Sequence, residues 1–252
     1  MGKNKLKKFA EIEGMQCVYQ YPREKLLSEG FPHIGNWRED VFSSPGPLTL
    51  ELGCGKGEYT VALGQKNPDV NFIGVDIKGA RIWSGARTAE KENLRNVAFL
   101  RTEIENIDKF FAEGEVDEIW ITFPDPQMKK TRKRLTSTRF MNLYSRILKT
   151  GGVINLKTDS PFLYEYTLRL VKENGFEILK NSDDLYGSGM ADAVSSIKTF
   201  YESQWLSRGK KIKLISFRPD FSKELTEPVT EDIEKDDYRA YSRHTPIENQ
   251  SI

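Results

Sequence analysis

The stretch from Leu48 to Gly57, Leu-Thr-Leu-Glu-Leu-Gly-Cys-Gly-Lys-Gly, constrains this chain more than any other. A short apolar run leads into glycines at alternate positions, Gly53, Gly55 and Gly57, and Glu51 stands two residues before the first. Glycines at the end of a strand let the backbone turn sharply and come close to a ligand. A plain tight turn between strand and helix has the same composition, so the turn alone does not decide its purpose. The next apolar run, Asn71 to Val75, ends in Asp76. An acidic residue about 20 positions after such a turn can accept the two hydroxyls of a ribose. Turn and acid together imply a cofactor carrying adenosine.

Spacing narrows the choice of cofactor. A dinucleotide fingerprint would put its third glycine where this chain has Glu58. A carboxylate there would repel a pyrophosphate resting on the helix N-terminus. The observed Glu-x-Gly-x-Gly-x-Gly suits a ligand with no phosphate and a positive end, which is how S-adenosyl-L-methionine differs from a nicotinamide dinucleotide.

The rest of the chain extends this alternation of strand and helix. Apolar runs predict strands ending at Leu52, Val75, Arg101, Phe123, Lys157, Lys180 and Phe217, with helices over Tyr59 to Gln65, Gly79 to Asn93, Phe140 to Leu148 and from Pro161 to Gly175. Gly151-Gly152 is expected to end the helix before the fifth strand. Strands separated by helices imply a parallel sheet with crossovers. Glu51, Asp76, Glu103, Asp125 and Asp159 fall at or close to the carboxyl ends of predicted strands, the edge where open parallel sheets bind ligands. Pro124 and Pro126 flank Asp125 and restrict where its carboxylate points.

Charge is segregated along the chain. Formal net charge is only +1, yet Pro126 to Arg139 holds Lys129, Lys130, Arg132, Lys133, Arg134 and Arg139 with no acidic residue. Such a run can neutralise several phosphates beside the proposed cofactor edge. Three regions are therefore expected: residues 1–47 as a basic N-terminal extension without periodicity over its first 14 residues, 48–218 as the catalytic domain, and 219–252 as an acidic tail. Two cysteines and two histidines offer no disulfide framework, no metal site and no nucleophile motif, which fits a cytoplasmic protein. No apolar run reaches the roughly 20 residues of a membrane span, and no apolar core follows the N-terminal lysines to make a secretion signal.

Five motifs together resemble the bacterial tRNA (guanine-N7-)-methyltransferases: Glu-Leu-Gly-Cys-Gly-Lys-Gly, Gly74-Val75-Asp76-Ile77-Lys78, Phe123-Pro124-Asp125-Pro126 with its basic run, Lys157-Thr158-Asp159, and Thr199-Phe200-Tyr201-Glu202. The resemblance implies an α/β fold, a Rossmann-like seven-stranded, mostly parallel sheet with helices on both faces. It implies methyl transfer from S-adenosyl-L-methionine to N7 of the tRNA variable-loop guanine numbered 46. By the same resemblance Glu51, Gly53, Gly55, Asp76, Glu103 and Asp125 contact the cofactor, and Asp125 is also catalytic. Lys129, Asp159, Thr199, Phe200, Tyr201 and Glu202 contact the substrate. The enzyme would act as a monomer or homodimer. Gln127 stands where many members carry Trp, and Glu103 where Asp is common. Two rivals are a same-fold methyltransferase acting on another RNA base and a non-catalytic tRNA-binding module. The first usually carries Asn or Asp before Pro-Pro-aromatic, unlike the Pro-Asp-Pro-Gln found here.

Overall fold

A computed structural model of the chain describes residues 3–236. The strands are β1 (Val18–Gln20), β2 (Leu48–Leu52), β3 (Asn71–Val75), β4 (Val97–Arg101), β5 (Val116–Thr122), β6 (Leu148–Thr158), β7 (Glu177–Ser182) and β8 (Lys213–Arg218). The α-helices are α1 (Lys3–Glu13), α2 (Arg23–Ser28), α3 (Glu58–Lys66), α4 (Gly79–Lys91), α5 (Thr138–Tyr144), α6 (Pro161–Glu173) and α7 (Phe200–Ser207). The strands form one sheet in the order β1-β4-β3-β2-β5-β6-β8-β7, in which β8 alone runs against its neighbours.

Side chains of the central strands alternate between two apolar layers, as the period of a strand requires. Leu48, Leu50 and Leu52 of β2, Ile73 and Val75 of β3, and Ile119 and Ile121 of β5 face a core shared with α5 and α6. Phe72 and Trp120 face a second layer with Tyr59 and Leu63 of α3 and Trp205 of α7, and Phe99 faces a third cluster with Ile82 and Ala86 of α4. Both faces are covered, so β2 and β3 are buried along their whole length.

Order reverses between β2 and β5. The chain first adds β3 and β4 on one side of β2, then returns to place β5 and β6 on the other. A crevice at such a reversal, outside the carboxyl ends of the strands, is where open α/β sheets bind ligands.

The structure departs from the expectations at four places. The sheet has an eighth strand: β1 is three residues long and joins the edge by pairing Val18 to Phe99 and Gln20 to Arg101. Nothing within three residues signals such a pairing. The N-terminal segment, whose lack of periodicity predicts disorder or a place on a partner, is a helix over Lys3–Glu13 packed on the chain itself, with Ile12 fully buried. Third, α5 stops at Tyr144, and Gly151-Gly152 lies inside β6 rather than ending a helix. The glycine pair forms an irregularity there, so that Leu148 pairs with Val116 but Val153 pairs with Glu118.

The acidic stretch expected as a tail packs on the domain as far as Asp236: Ile233 is buried, and Phe221 and Leu225 rest on the main core. Its remainder, 237–252, lies outside the described residues.

Candidate active site

Register brings the chemistry to one edge. Leu52 pairs with Val75 on one side and Ile121 on the other, Val75 with Leu100, and Thr122 with Lys157. The loops after β2, β3, β4, β5 and β6 therefore leave the sheet at one level.

In the glycine turn, Gly53 has φ +77° and Gly57 φ +71°, values that L side chains rarely adopt. A Cβ at Gly57 would also meet Phe99 Cε1 at 2.5 Å, whereas one at Gly53 would stand in open space. Gly57 is thus glycine for packing as well as conformation, while Gly53 keeps the backbone bare beside the crevice. Asp76 is tied to this turn: its Oδ2 accepts from Gly55 N at 3.0 Å and its Oδ1 from Lys78 N at 2.7 Å. Each oxygen keeps a lone pair for a further donor.

Glu51 lies beneath the turn, 3% exposed. It accepts from Thr60 N at 2.9 Å, from Thr60 Oγ1, and from Thr122 Oγ1 at 2.5 Å. Burial pushes its carboxyl up to about 7 despite these bonds. An acid raised in the fold contributes stability that is complete below its unfolded value, about 4.5, and is lost as pH climbs through about 7. Glu51→Gln should therefore gain on the wild type by about 3 kcal/mol between pH 4.5 and pH 8. Urea unfolding of both proteins at the two pH values checks this; a difference independent of pH would contradict it.

Asp125 is exposed on a loop with two unusual residues, Phe123 at φ +49° and Gln127 at φ +47°. Non-glycine residues hold such angles only when their surroundings impose them, and they gather at functional sites. Asp125 Oδ1 accepts from Gln127 N at 3.0 Å, which with the two prolines limits where the carboxylate points. The loop is held from below by Arg134, 1% exposed, whose Nε and Nη2 donate to the carbonyls of Gln127 and Met128 at 3.2 and 2.9 Å. The guanidinium lies over the rings of Phe162 and Tyr166. Within the basic run, then, Lys129, Lys130, Arg132 and Lys133 face solvent and Arg134 does not.

The segment Thr199 to Glu202 opens α7. Thr199 Oγ1 caps it by accepting from Glu202 N at 3.1 Å. Phe200, 61% exposed, donates its amide to Glu58 Oε2 at 2.6 Å and carries Lys56 Nζ 5.2 Å from its ring centroid. Tyr201 packs its ring 5.7 Å from that of Phe123. These contacts join the glycine turn, the Asp125 loop and the start of α7. Glu202 points inward: it is fully buried, pairs with Lys157 Nζ at 2.9 Å and accepts from Tyr186 Oη at 2.5 Å. Lys157 also donates to the Ile197 carbonyl at 2.8 Å, and burial lowers its pKa.

Asp159 is buried at the end of β6, just before the Ser160 that caps α6. Lys129 and Glu103 are exposed. Glu103 follows β4, which β3 separates from β2, and its side chain makes no capping hydrogen bond to the helical turn it begins. Sequence reasoning missed Thr60, Thr122 and Tyr186, whose hydroxyls serve Glu51 and Glu202. No local pattern distinguishes them from other Thr and Tyr, although Glu51 in an apolar strand signals a need for donors.

No helix among the described residues is long and apolar enough to cross a membrane. A family model described as a putative methyltransferase matches residues 45–215. The chain is 57% identical over 238 residues to a tRNA (guanine-N(7)-)-methyltransferase of Porphyromonas gingivalis, which covers 92% of this chain and 96% of that protein. It is 53% identical over 243 residues to the protein of the same name from Bacteroides fragilis, with 96% of each covered. Among solved structures, the 16S rRNA methyltransferase KamB aligns with a TM-score of 0.55 at 14% identity, over 72% of this chain and 92% of that one, a likeness of fold alone. A matched model across most of the sheet and relatives matched over nearly their whole length show that this chain belongs to the tRNA (guanine-N7-)-methyltransferase family.

Proposed function

We propose that the protein methylates N7 of a guanine in tRNA, the variable-loop guanine at position 46, with S-adenosyl-L-methionine as methyl donor. The observation that carries this reading is that Asp125, between Phe123 and Gln127 at positive φ, lies at the same sheet edge as the glycine turn and Asp76.

The residues present fit the donor. Asp76, half-tied by two backbone amides, offers its free lone pairs to a ribose, and Ile77, 48% exposed, offers an apolar surface to an adenine. Gly53 and Gly55 leave the turn bare for a methionine chain. When bound, the donor supplies an electrophilic methyl: the guanine N7 lone pair forms the new N–C bond as the C–S bond breaks, and that electron pair leaves on sulfur.

Guanine N7 has an in-plane lone pair and no proton, so the step needs no general base. The protein's task is alignment at near-attack distance. Positive charge moves onto the purine as the bond forms, and a fixed carboxylate at Asp125 stabilises it there. Thr199, Phe200 and Tyr201 line the approach of the substrate, while Asp159 lies buried at the end of β6. Glu202 serves it indirectly, through the buried pair that seats α7. Glu103 completes the cofactor edge.

Removing the base from the stack of folded tRNA costs a few kcal/mol, which phosphate contacts by Lys129, Lys130, Arg132 and Lys133 offset. About four such contacts give a slope of log K against log salt of about −3 to −4. Lys129→Ala should reduce that slope by about 1. Arg134→Ala should leave the slope unchanged and lower the melting temperature, because Arg134 is buried. Equal slope changes for both variants would contradict this division. The free thiols of Cys17 and Cys54 suit the cytoplasm.

Incubating tRNA with labelled donor and digesting to nucleosides tests the reaction. Label in 7-methylguanosine is expected, and label in an amine-methylated base would overturn the choice of atom.

A further inference from the structure

The stretch after Arg218 carries an excess of acidic residues, which ordinarily makes a solvated tail. Its described part instead runs along α6. Glu227 accepts from Thr138 Oγ1 at 2.7 Å and from Tyr166 Oη. Asp232 pairs with Arg169 at 2.7 Å. Asp236, 7% exposed, reaches the N-terminus of α6, where its carboxylate accepts from Phe162 N at 3.1 Å and from Ser160 Oγ. A carboxylate at that end of a helix is favoured by the helix dipole. The amide of Asp236 meets Met128 Sδ at 3.2 Å.

Met128 lies three residues after Asp125. Two routes thus run from the C-terminal segment to the same loop. One is direct, from Asp236 to Met128. The other passes from Glu227 to Tyr166, whose ring lies 4.4 Å from the Arg134 guanidinium, and from Arg134 to the carbonyls of Gln127 and Met128. A loop with Phe123 and Gln127 at positive φ needs such outside restraints to stay in place.

We propose that residues 227–236 are a strap that positions the methyl-transfer loop, with Asp236 as a positioning residue acting through Met128 and the start of α6. The inference rests on the role given above to Asp125. Its consequence is specific: loosening the strap should impair alignment and leave the cofactor turn, on the other side of the crevice, unaffected.

The test uses the full-length chain and the variants Asp236→Ala and Asp236→Asn. Single-turnover methyl transfer at saturating tRNA and donor, donor affinity by calorimetry, and hydrogen exchange of the amides of residues 127–130 are compared. Asp236→Ala should slow transfer by about 10- to 100-fold, the scale of a misplacement near 1 Å. Donor affinity should stay within about 2-fold, and exchange at 127–130 should quicken. Asp236→Asn keeps an acceptor for Phe162 N and should recover most of the rate; it carries the test alone if the alanine variant does not fold, with an expected loss of about 3-fold and faster exchange at 127–130. Rates within 2-fold of wild type with unchanged exchange would overturn the proposal. So would a rate loss matched by lost donor affinity with no local change in exchange, since that marks general destabilisation. A wild-type protein that forms no 7-methylguanosine would instead remove the reading of the site itself.

Discussion

Asp125→Asn is expected to lower methyl transfer about 10²- to 10³-fold, the usual loss when one electrostatic stabiliser of a transition state is removed. Asparagine keeps the size of the side chain and an oxygen to accept from Gln127 N, so the loop should hold its shape. What is lost is the negative charge that the proposed mechanism sets against a purine becoming cationic. Because Asp125 is exposed and its carboxylate accepts from Gln127 N, a bond asparagine can keep, folding and tRNA binding should change little. Burst measurements with both ligands saturating separate the chemical step from binding. Turnover within a factor of three of wild type would remove Asp125 from the mechanism.

The largest effect on stability is expected at Glu202→Ala. Glu202 and Lys157 are both fully buried, so removing one leaves the other uncompensated in the core, at a cost of about 3–5 kcal/mol. For a protein of this size that corresponds to a fall of roughly 10 °C in melting temperature. Tyr186 would lose its acceptor as well, and α7 would lose the tie that fixes Thr199 and Phe200 beside the glycine turn. Activity should fall along with stability, which distinguishes this residue from Asp125. Replacing both partners at once, Lys157→Met with Glu202→Leu, should restore part of the stability, since an apolar pair leaves no buried charge unpaired, although Tyr186 Oη and the Ile197 carbonyl lose these partners. Thermal unfolding of the single and double variants checks both points. A single variant within about 1 kcal/mol of wild type would show that water reaches the pair.

Much of this architecture was legible in the residues. Strands such as Val97–Arg101 and the glycine turn carry local signals, an apolar run followed by residues the backbone requires, and they form where expected. The carboxylates at the strand ends were legible for the same reason, because strand ends are local features. What could not be read depends on partners distant in sequence. Glu202 reads as part of a substrate-contacting motif, and its buried pairing is visible only once Lys157, 45 positions earlier, is brought against it. Arg134 has the same composition signal as Lys133, yet one holds a loop from within and the other faces solvent. The three residues of β1 become a strand only because β4 presents an unpaired edge. The acidic stretch after Arg218 reads as a tail because its burial is created by Tyr166, Arg169 and the start of α6.

Two unmodified tRNA transcripts that differ only in the variable loop test whether the methyl group goes to one atom of one nucleotide. One carries guanine at position 46 and the other adenine. The protein is supplied with S-adenosyl-L-methionine labelled in its methyl group, and the products are treated to cleave the strand at 7-methylguanine. Label in the guanine transcript alone, released by scission at that position, is the predicted result. Label in both transcripts, or in the first at a site that resists scission, would contradict it.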